Sequence, residues 1–283
     1  LDGFSAERAM PGEMMKVATR AMITSDDPVF FRMIQGIENL LADKGREQKL
    51  ILMLDQFSNF LLVIHDDGSA TLHLDDFVRV FEARAKRDVA ANEPVSPKDV
   101  LDIRKFRFPE VSLLKSDKVL CCLKVGWKFG LFFDLDRSKP FDVERMELDL
   151  AHLFRALRYY SVYQALSDNA VFEQLIEAGW FPFAEILGGE FEELLEAHTA
   201  NFDVPGQRQA IVASFDEKRM AEIQERWWRN SILAKRRAIL QPALDAFKRG
   251  DSVSCLKILL TEIEGILRED HIVDKAQNTQ SVM

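Results

Sequence analysis

Between residues 118 and 135, two apolar runs, KVLCCLKV and LFFDL, flank a segment bracketed by Gly126 and Gly130. Both runs are short and rich in residues that suit a pleated, buried surface, so together they predict an antiparallel hairpin. With residues 126–130 as the loop, Val125 opposes Leu131, Leu123 opposes Phe133 and Cys121 opposes Leu135. These six share one face and are all apolar, which makes that face core. The other face carries Leu120, Cys122, Lys124, Phe132 and Asp134, a mixture that suits half-cover by a helix. Trp127 falls in the turn, where no core position requires it, and becomes a candidate binding residue.

A second hairpin is written in NFLLVIH and SATLHL, joined through Asp66-Asp67-Gly68, since Asp-Gly fits the positive φ angles of tight primed turns. Upstream, Pro28 suits the first position of a helix that Val29, Ile34, Ile37 and Leu41 carry to a stop at Lys44-Gly45. LILML at residues 50–54 reads as a strand and residues 77–86 as a helix. Residues 89–97 read as a loop, and Pro97 as the start of a short helix through Ile103. Beyond Lys139-Pro140 the pattern turns helical. Met146, Leu150, Leu153, Leu157 and Tyr160 recur at spacings of four and three, the mark of a buried helical stripe. Further helices are expected over 168–178 and 190–200. Ser214 and Glu217 form a Ser-x-x-Glu capping box for a long helix that Pro242 kinks and Gly250 ends. Ser252 caps the last helix, on which Leu256, Leu260, Ile263 and Leu267 share a face, and residues 274–283 read as a frayed tail.

The expected fold class is therefore α+β: a small mixed or antiparallel sheet with helices, followed by an all-helical C-terminal bundle. The change of pattern sets the expected domains at 1–140 and 141–283.

Net charge is −9 and unevenly spread: residues 141–283 carry 24 acidic and 16 basic side chains, the first 140 carry 22 and 21. A field of that sign does not favour bulk binding to nucleic acid or membranes, so any such contact needs a local basic patch. No apolar run approaches the roughly 20 residues that cross a bilayer, and no membrane role is expected. The first residues, LDGFSAERAMPGEMMK, show no basic stretch followed by an apolar core, so no secretory signal is read there. The three cysteines, Cys121, Cys122 and Cys255, offer no Cys-x2-Cys spacing and an odd count, which points to a reducing compartment and a cytoplasmic location.

The chemical constellations are sparse. His65 and His73 fall on opposite faces of the first hairpin for a loop of even length, and could share a metal only if an odd loop shifted the register. Asp134 and Asp136 lie two apart, as a carboxylate pair for Mg²⁺ would, with no third acid to complete the set. No nucleophile elbow, phosphate loop or dinucleotide fingerprint occurs. Neither a catalytic residue, a metal ligand set nor a cofactor is assigned. The best patch is ERWWRNSILAKRR at residues 225–237. On a continuous helix, Arg226, Arg229, Arg236 and Arg237 fall within an arc of roughly 100°, a basic stripe able to contact nucleic acid or an acidic protein.

Residues 227–268 run from Trp227-Trp228 through a Gly250-Asp251 turn to a helix carrying Glu264-Gly265-Ile266. The stretch resembles the HEPN-like helical domains of bacterial abortive-infection and defence proteins. Active members of that class carry Arg-x4-His. Here the residues five before each histidine are Phe60, Gly68, Glu147, Glu193 and Ile266, so the resemblance implies a non-catalytic helical scaffold. The sequence thus reads as a non-enzymatic binding or interaction protein, contacting nucleic acid or a protein partner through the basic stripe, with a homo-oligomer possible. The alternatives are a metal-dependent or HEPN-like nuclease and a structural subunit of a larger complex.

Overall fold

The computed structural model describes residues 3–5, 7–53, 57–75, 77–96, 99–181, 183, 185–187 and 189–280, the last stretch as backbone alone from residue 269 on. It is an α+β protein whose contacts divide it into two compact units, Leu1–Val204 and Pro205–Met283. That division comes later in the chain than the change of sequence pattern near Pro140.

The first unit is built on a five-stranded antiparallel sheet. Its strands are β3 (Arg20–Thr24), β4 (Phe60–Ile64), β5 (Ala70–Leu74), β8 (Lys118–Val125) and β9 (Lys128–Asp134), in the order β3-β9-β8-β4-β5. Two short pairs stand apart, β1 (Phe4–Ser5) with β2 (Val17–Ala18), and β6 (Val80–Ala85) with β7 (Val100–Arg107).

The β8–β9 hairpin forms in a register other than the one expected. Val125 pairs with Lys128, Cys121 with Phe132 and Leu120 with Phe133, so the turn is the two-residue Gly126-Trp127. Gly126 has φ +58°, as a glycine at the first position of a tight hairpin turn does. This odd shift re-sorts the faces, because side chains alternate with period two. One face now gathers Leu61, Val63, Val119, Cys121, Leu123 and Phe132; the other gathers Phe60, Leu62, Leu120, Cys122, Leu131 and Phe133. Both are buried, and the expectation of one core face and one mixed face is corrected.

Each face has its own cover. Helix α1 (Pro28–Glu47) lays Phe30, Met33 and Ile37 on the second face. Its start is fixed as the sequence implies, with Pro28 at the first turn and Asp27 Oδ1 accepting from the Val29 amide at 2.8 Å. Helix α2 (Val143–Arg158) covers the first face with Met146, Leu150, Leu153 and Leu157. Gly130 lies beneath it, where a Cβ would stand 2.8 Å from Leu153 Cδ1 and 2.9 Å from Leu157 Cδ1. The β6–β7 pair shares that layer through Phe106, and Arg155 on α2 ties it down, donating to Asp102 Oδ1 at 3.0 Å and the Ile103 carbonyl at 2.5 Å. Three shorter helices follow: α3 (Tyr160–Ser167), α4 (Asn169–Glu177) and α5 (Glu190–Ala200).

Several local expectations are corrected. Residues 80–85 and 100–107 are strands rather than parts of helices; Asp76, Pro97 and Lys98 lie outside the described residues. Residues 50–53 form no strand, and Leu54 lies outside the described residues. In the β4–β5 hairpin Ile64 pairs with Ala70 and Leu61 with His73. The loop is odd, so His65 and His73 do share a face, but they stand far apart along it. His65 instead bridges Asp117 Oδ1 at 3.0 Å and Thr71 Oγ1 at 3.1 Å.

The second unit follows α6 (Val204–Ser214) with α7 (Glu217–Arg229), α8 (Ser231–Lys235), α9 (Arg237–Lys248) and α10 (Ser252–Gln280). The expected single long helix is thus interrupted at Asn230 and at Arg236. Asn230 both ends α7 and caps α8, its Oδ1 accepting from the Ile232 amide at 2.9 Å. Pro242 sits inside α9 and divides nothing. Asp216, not Ser214, caps α7 by accepting from the Arg219 amide at 2.8 Å; Ser214 Oγ turns back to the Ile211 carbonyl. Asp251 Oδ1, not Ser252, accepts from the Ser254 amide at the start of α10. That helix continues to Gln280, through most of the expected tail. Trp227 and Trp228 pack edge to face at 6.4 Å against Met220, Ile223 and Leu244.

Candidate functional site

The four arginines of the expected stripe occupy different settings. Arg226 and Arg229 lie on the last turn of α7, and Arg229 meets Glu225 at 2.5 Å in an exposed i,i+4 pair. Arg236 stands between α8 and α9, where its guanidinium reaches Glu262 at 2.6 Å and lies against Gly265. Arg237 opens α9 and stacks over Trp228 at 5.2 Å. The breaks at Asn230 and Arg236 leave no continuous helix, and so no single arc of roughly 100°, across the four arginines. Trp127 stands at the β8–β9 turn and is 94% exposed.

The carboxylate pair is engaged locally. Asp134 Oδ2 meets Arg20 Nε at 3.3 Å, and Arg20 also pairs with the buried Asp149, which Arg145 Nε approaches at 3.2 Å. Asp136 accepts from the Ser138 amide at 2.9 Å and hydroxyl at 2.6 Å, and these bonds hold its carboxyl below the ordinary range. Among the described residues no group of three or more His, Cys, Asp or Glu is placed to hold a metal ion.

The feature best suited to a ligand was not read from the sequence. A cavity of about 790 Å³ opens beside β6, within the size range of small-molecule sites. Its apolar wall comes from Phe81 and Ala83 of β6, Ile103 of β7, Val125 of β8, and Phe154 and Tyr159 at the end of α2. Phe81 packs on Phe106 and on Phe154 with ring centroids 4.7 Å apart in both cases, which fixes the aromatic floor. Arg79, Arg84 and Arg158 stand exposed at its edge.

Charge at that edge is unbalanced for a structural reason. Arg84 stands opposite Asp102 in the β6–β7 register, yet Asp102 is taken by Arg104 at 2.7 Å and Arg155 at 3.0 Å. Asp99, the one carboxylate lining the cavity among the described residues, is taken by Arg87 at 2.7 Å. Neither Arg84 nor Arg158 has a carboxylate within salt-bridge distance among the described residues. Two guanidinium groups beside an apolar hollow can bind a carboxylate, sulfonate or phosphate in bidentate fashion while the hollow takes an apolar body.

The loop over the cavity is fastened by its own polar contacts. Arg87 spans Asp99 and Glu93, both at 2.7 Å, the Ala90 amide donates to Glu93 at 2.9 Å, and the Ser96 amide and hydroxyl donate to Asp99 at 2.8 and 2.9 Å. The Arg87 guanidinium, then the Ser96 donors, bring the Asp99 carboxyl down to about 2. The Ala90 amide, then Arg87, lower Glu93 as well. On the opposite side of the sheet, a smaller hollow is lined by Phe30, Phe31, Phe60, Phe129 and Cys122; burial pushes the Cys122 thiol up to about 12.

No protein-family model, no curated protein and no solved structure matches this chain.

Proposed function

We propose that this is a non-enzymatic binding protein whose first unit takes up an amphipathic anion in the cavity beside β6. The ligand class has a flat or branched apolar body and one acidic group at its end. Supporting this above all is the combination of an aromatic-floored cavity with Arg84 and Arg158, neither of which has a carboxylate within salt-bridge distance among the described residues, Glu192 acting on Arg158 only from beyond that distance. A cation with no close ion pair beside apolar surface is an affinity reserve, since binding replaces water rather than a carboxylate in contact. The resemblance of residues 227–268 to HEPN-like scaffolds, without Arg-x4-His, agrees with binding in place of cleavage. Contact with nucleic acid through Arg226, Arg229, Arg236 and Arg237 has less support, because Arg229 and Arg236 are already engaged by Glu225 and Glu262.

The test is fluorescence titration with 1-anilinonaphthalene-8-sulfonate on the native chain and on Ala83→Trp, which fills the cavity. Saturable one-site binding that Ala83→Trp removes, with the far-UV circular dichroism unchanged, is the expected result. Equal binding to both proteins would place the probe elsewhere and overturn the reading.

A further inference from the structure

Helix α10 carries two apolar faces, and only one of them is used within the second unit. Cys255, Ile258 and Leu259 pack against Ala243 and Ala246 of α9, and Glu262 receives Arg236. A different set, Val253, Leu256, Leu260, Ile263 and Leu267, is 62, 57, 66, 48 and 64% exposed. Their spacing is three, four, three, four. That is the a/d pattern of a helix whose seam must face another helix. A lone surface helix does not need it, because its buried face is already supplied by the Cys255 side.

The flanking positions decide what the other helix is. With Leu260 at a and Ile263 at d, the e positions hold Lys257 and Glu264, while the g positions hold Ser252, Leu259 and Ile266. In a parallel pair, e faces g of the partner, and neither lysine nor glutamate would find a charge there. In an antiparallel pair of identical helices, Leu260 packs on Ile263 of the second copy and Leu256 on Leu267. Lys257 and the second copy's Glu264 then lie within about two residues of the same level, roughly 3 Å along the axis. The two-fold axis produces that pair twice. Lys257 has no carboxylate within salt-bridge distance among the described residues, and the Arg268 guanidinium that meets Glu264 at 2.5 Å makes only an exposed i,i+4 contact of small worth.

We infer that the exposed seam of α10 is the interface for a second copy of this chain, docked antiparallel through Leu256, Leu260, Ile263 and Leu267, with Lys257 and Glu264 setting the direction. The closed two-fold arrangement buries both seams at once and leaves none open for further growth. It stands on the second unit alone and is independent of the cavity.

Sedimentation velocity on the full chain tests it. The native protein should run as a concentration-dependent dimer, and Leu260→Asp, at a position already in water, should run as a monomer with unchanged circular dichroism. Lys257→Glu and Glu264→Lys should each weaken the dimer by about tenfold, through like charges placed face to face. The double exchange of Lys257→Glu with Glu264→Lys should bring it back near the native value. A native chain that stays monomeric, or a Leu260→Asp dimer as tight as the native one, would overturn the interface. A double exchange as weak as the sum of the singles would overturn the antiparallel pairing with a second copy.

Discussion

Gly130 on β9 lies so close under Leu153 of α2 that a Cβ on the glycine would stand 2.8 Å from Leu153 Cδ1. The helix that covers this face of the sheet can come down to its packing distance because one strand position has no side chain. Gly130→Ala is therefore expected to destabilise the first unit by about 1–3 kcal/mol, the usual cost of overpacking a filled core. Gly126→Ala, in open space but at φ +58°, should cost only roughly 1 kcal/mol, from backbone strain. Urea midpoints of the two variants give the comparison, and Gly130→Ala should be the lower.

The Arg236–Glu262 contact ties α10 to the junction of α8 and α9. Arg236→Ala should cost the second unit about 1–3 kcal/mol, because a half-buried carboxylate loses its charged donor. Arg229→Ala removes only an exposed i,i+4 pair and should stay within about 0.5 kcal/mol of the native chain. Thermal melts of the two variants should separate these roles, which a shared surface stripe would not.

The contacts among Arg87, Glu93, Ser96 and Asp99 give a pH signature. Asp99 falls from its ordinary 3.8 to about 2 in the folded chain, so its contribution is complete above 3.8 and is lost as pH falls towards 2. Asp99→Asn lacks that contribution at every pH. The stability gap between native and Asp99→Asn proteins should thus be constant at neutral pH and close on acidification below about 4, near the unfolded carboxylate value. Denaturant melts across that range provide the readout.

The three thiols should be silent in the folded chain. Burial raises Cys121 well above its ordinary value, raises Cys122 to about 12 and raises Cys255. At mildly alkaline pH, dithionitrobenzoate should label none of them until denaturant is added, and then all three.

How much of this was legible in the sequence depends on the range of the cause. Asp27-Pro28, the Leu150 stripe and the Asp-Gly hairpin are local signals, and α1, α2 and the β4–β5 pair appear where those signals stand, although α1 runs past the expected stop at Lys44-Gly45 to Glu47 and Tyr160 of the stripe falls on α3. Register was harder, because Gly126 and Gly130 look like two ends of one loop. Gly126 shapes the turn, whereas Gly130 answers to Leu153, more than twenty positions away in the chain. In VFEARA the Glu, Ala and Arg content favours a helix, but Phe81, Ala83 and Ala85 alternate with period two, and pairing with β7 decided for the strand. Misreading that segment hid Arg84. The cavity itself draws its wall from β6, β7, β8, α2 and the loop before Val100, five stretches that no local pattern brings together.

The most direct test of the central claim compares two probes that share one apolar body. 1-Anilinonaphthalene-8-sulfonate carries a sulfonate, and N-phenyl-1-naphthylamine does not. The native protein should bind the charged probe more tightly by about tenfold, the scale of one desolvated charge contact of roughly 1.4 kcal/mol. In the Arg79→Ala, Arg84→Ala, Arg158→Ala triple variant the two affinities should become equal, with the neutral probe bound as in the native chain. An unchanged preference for the sulfonate in that variant would contradict the account.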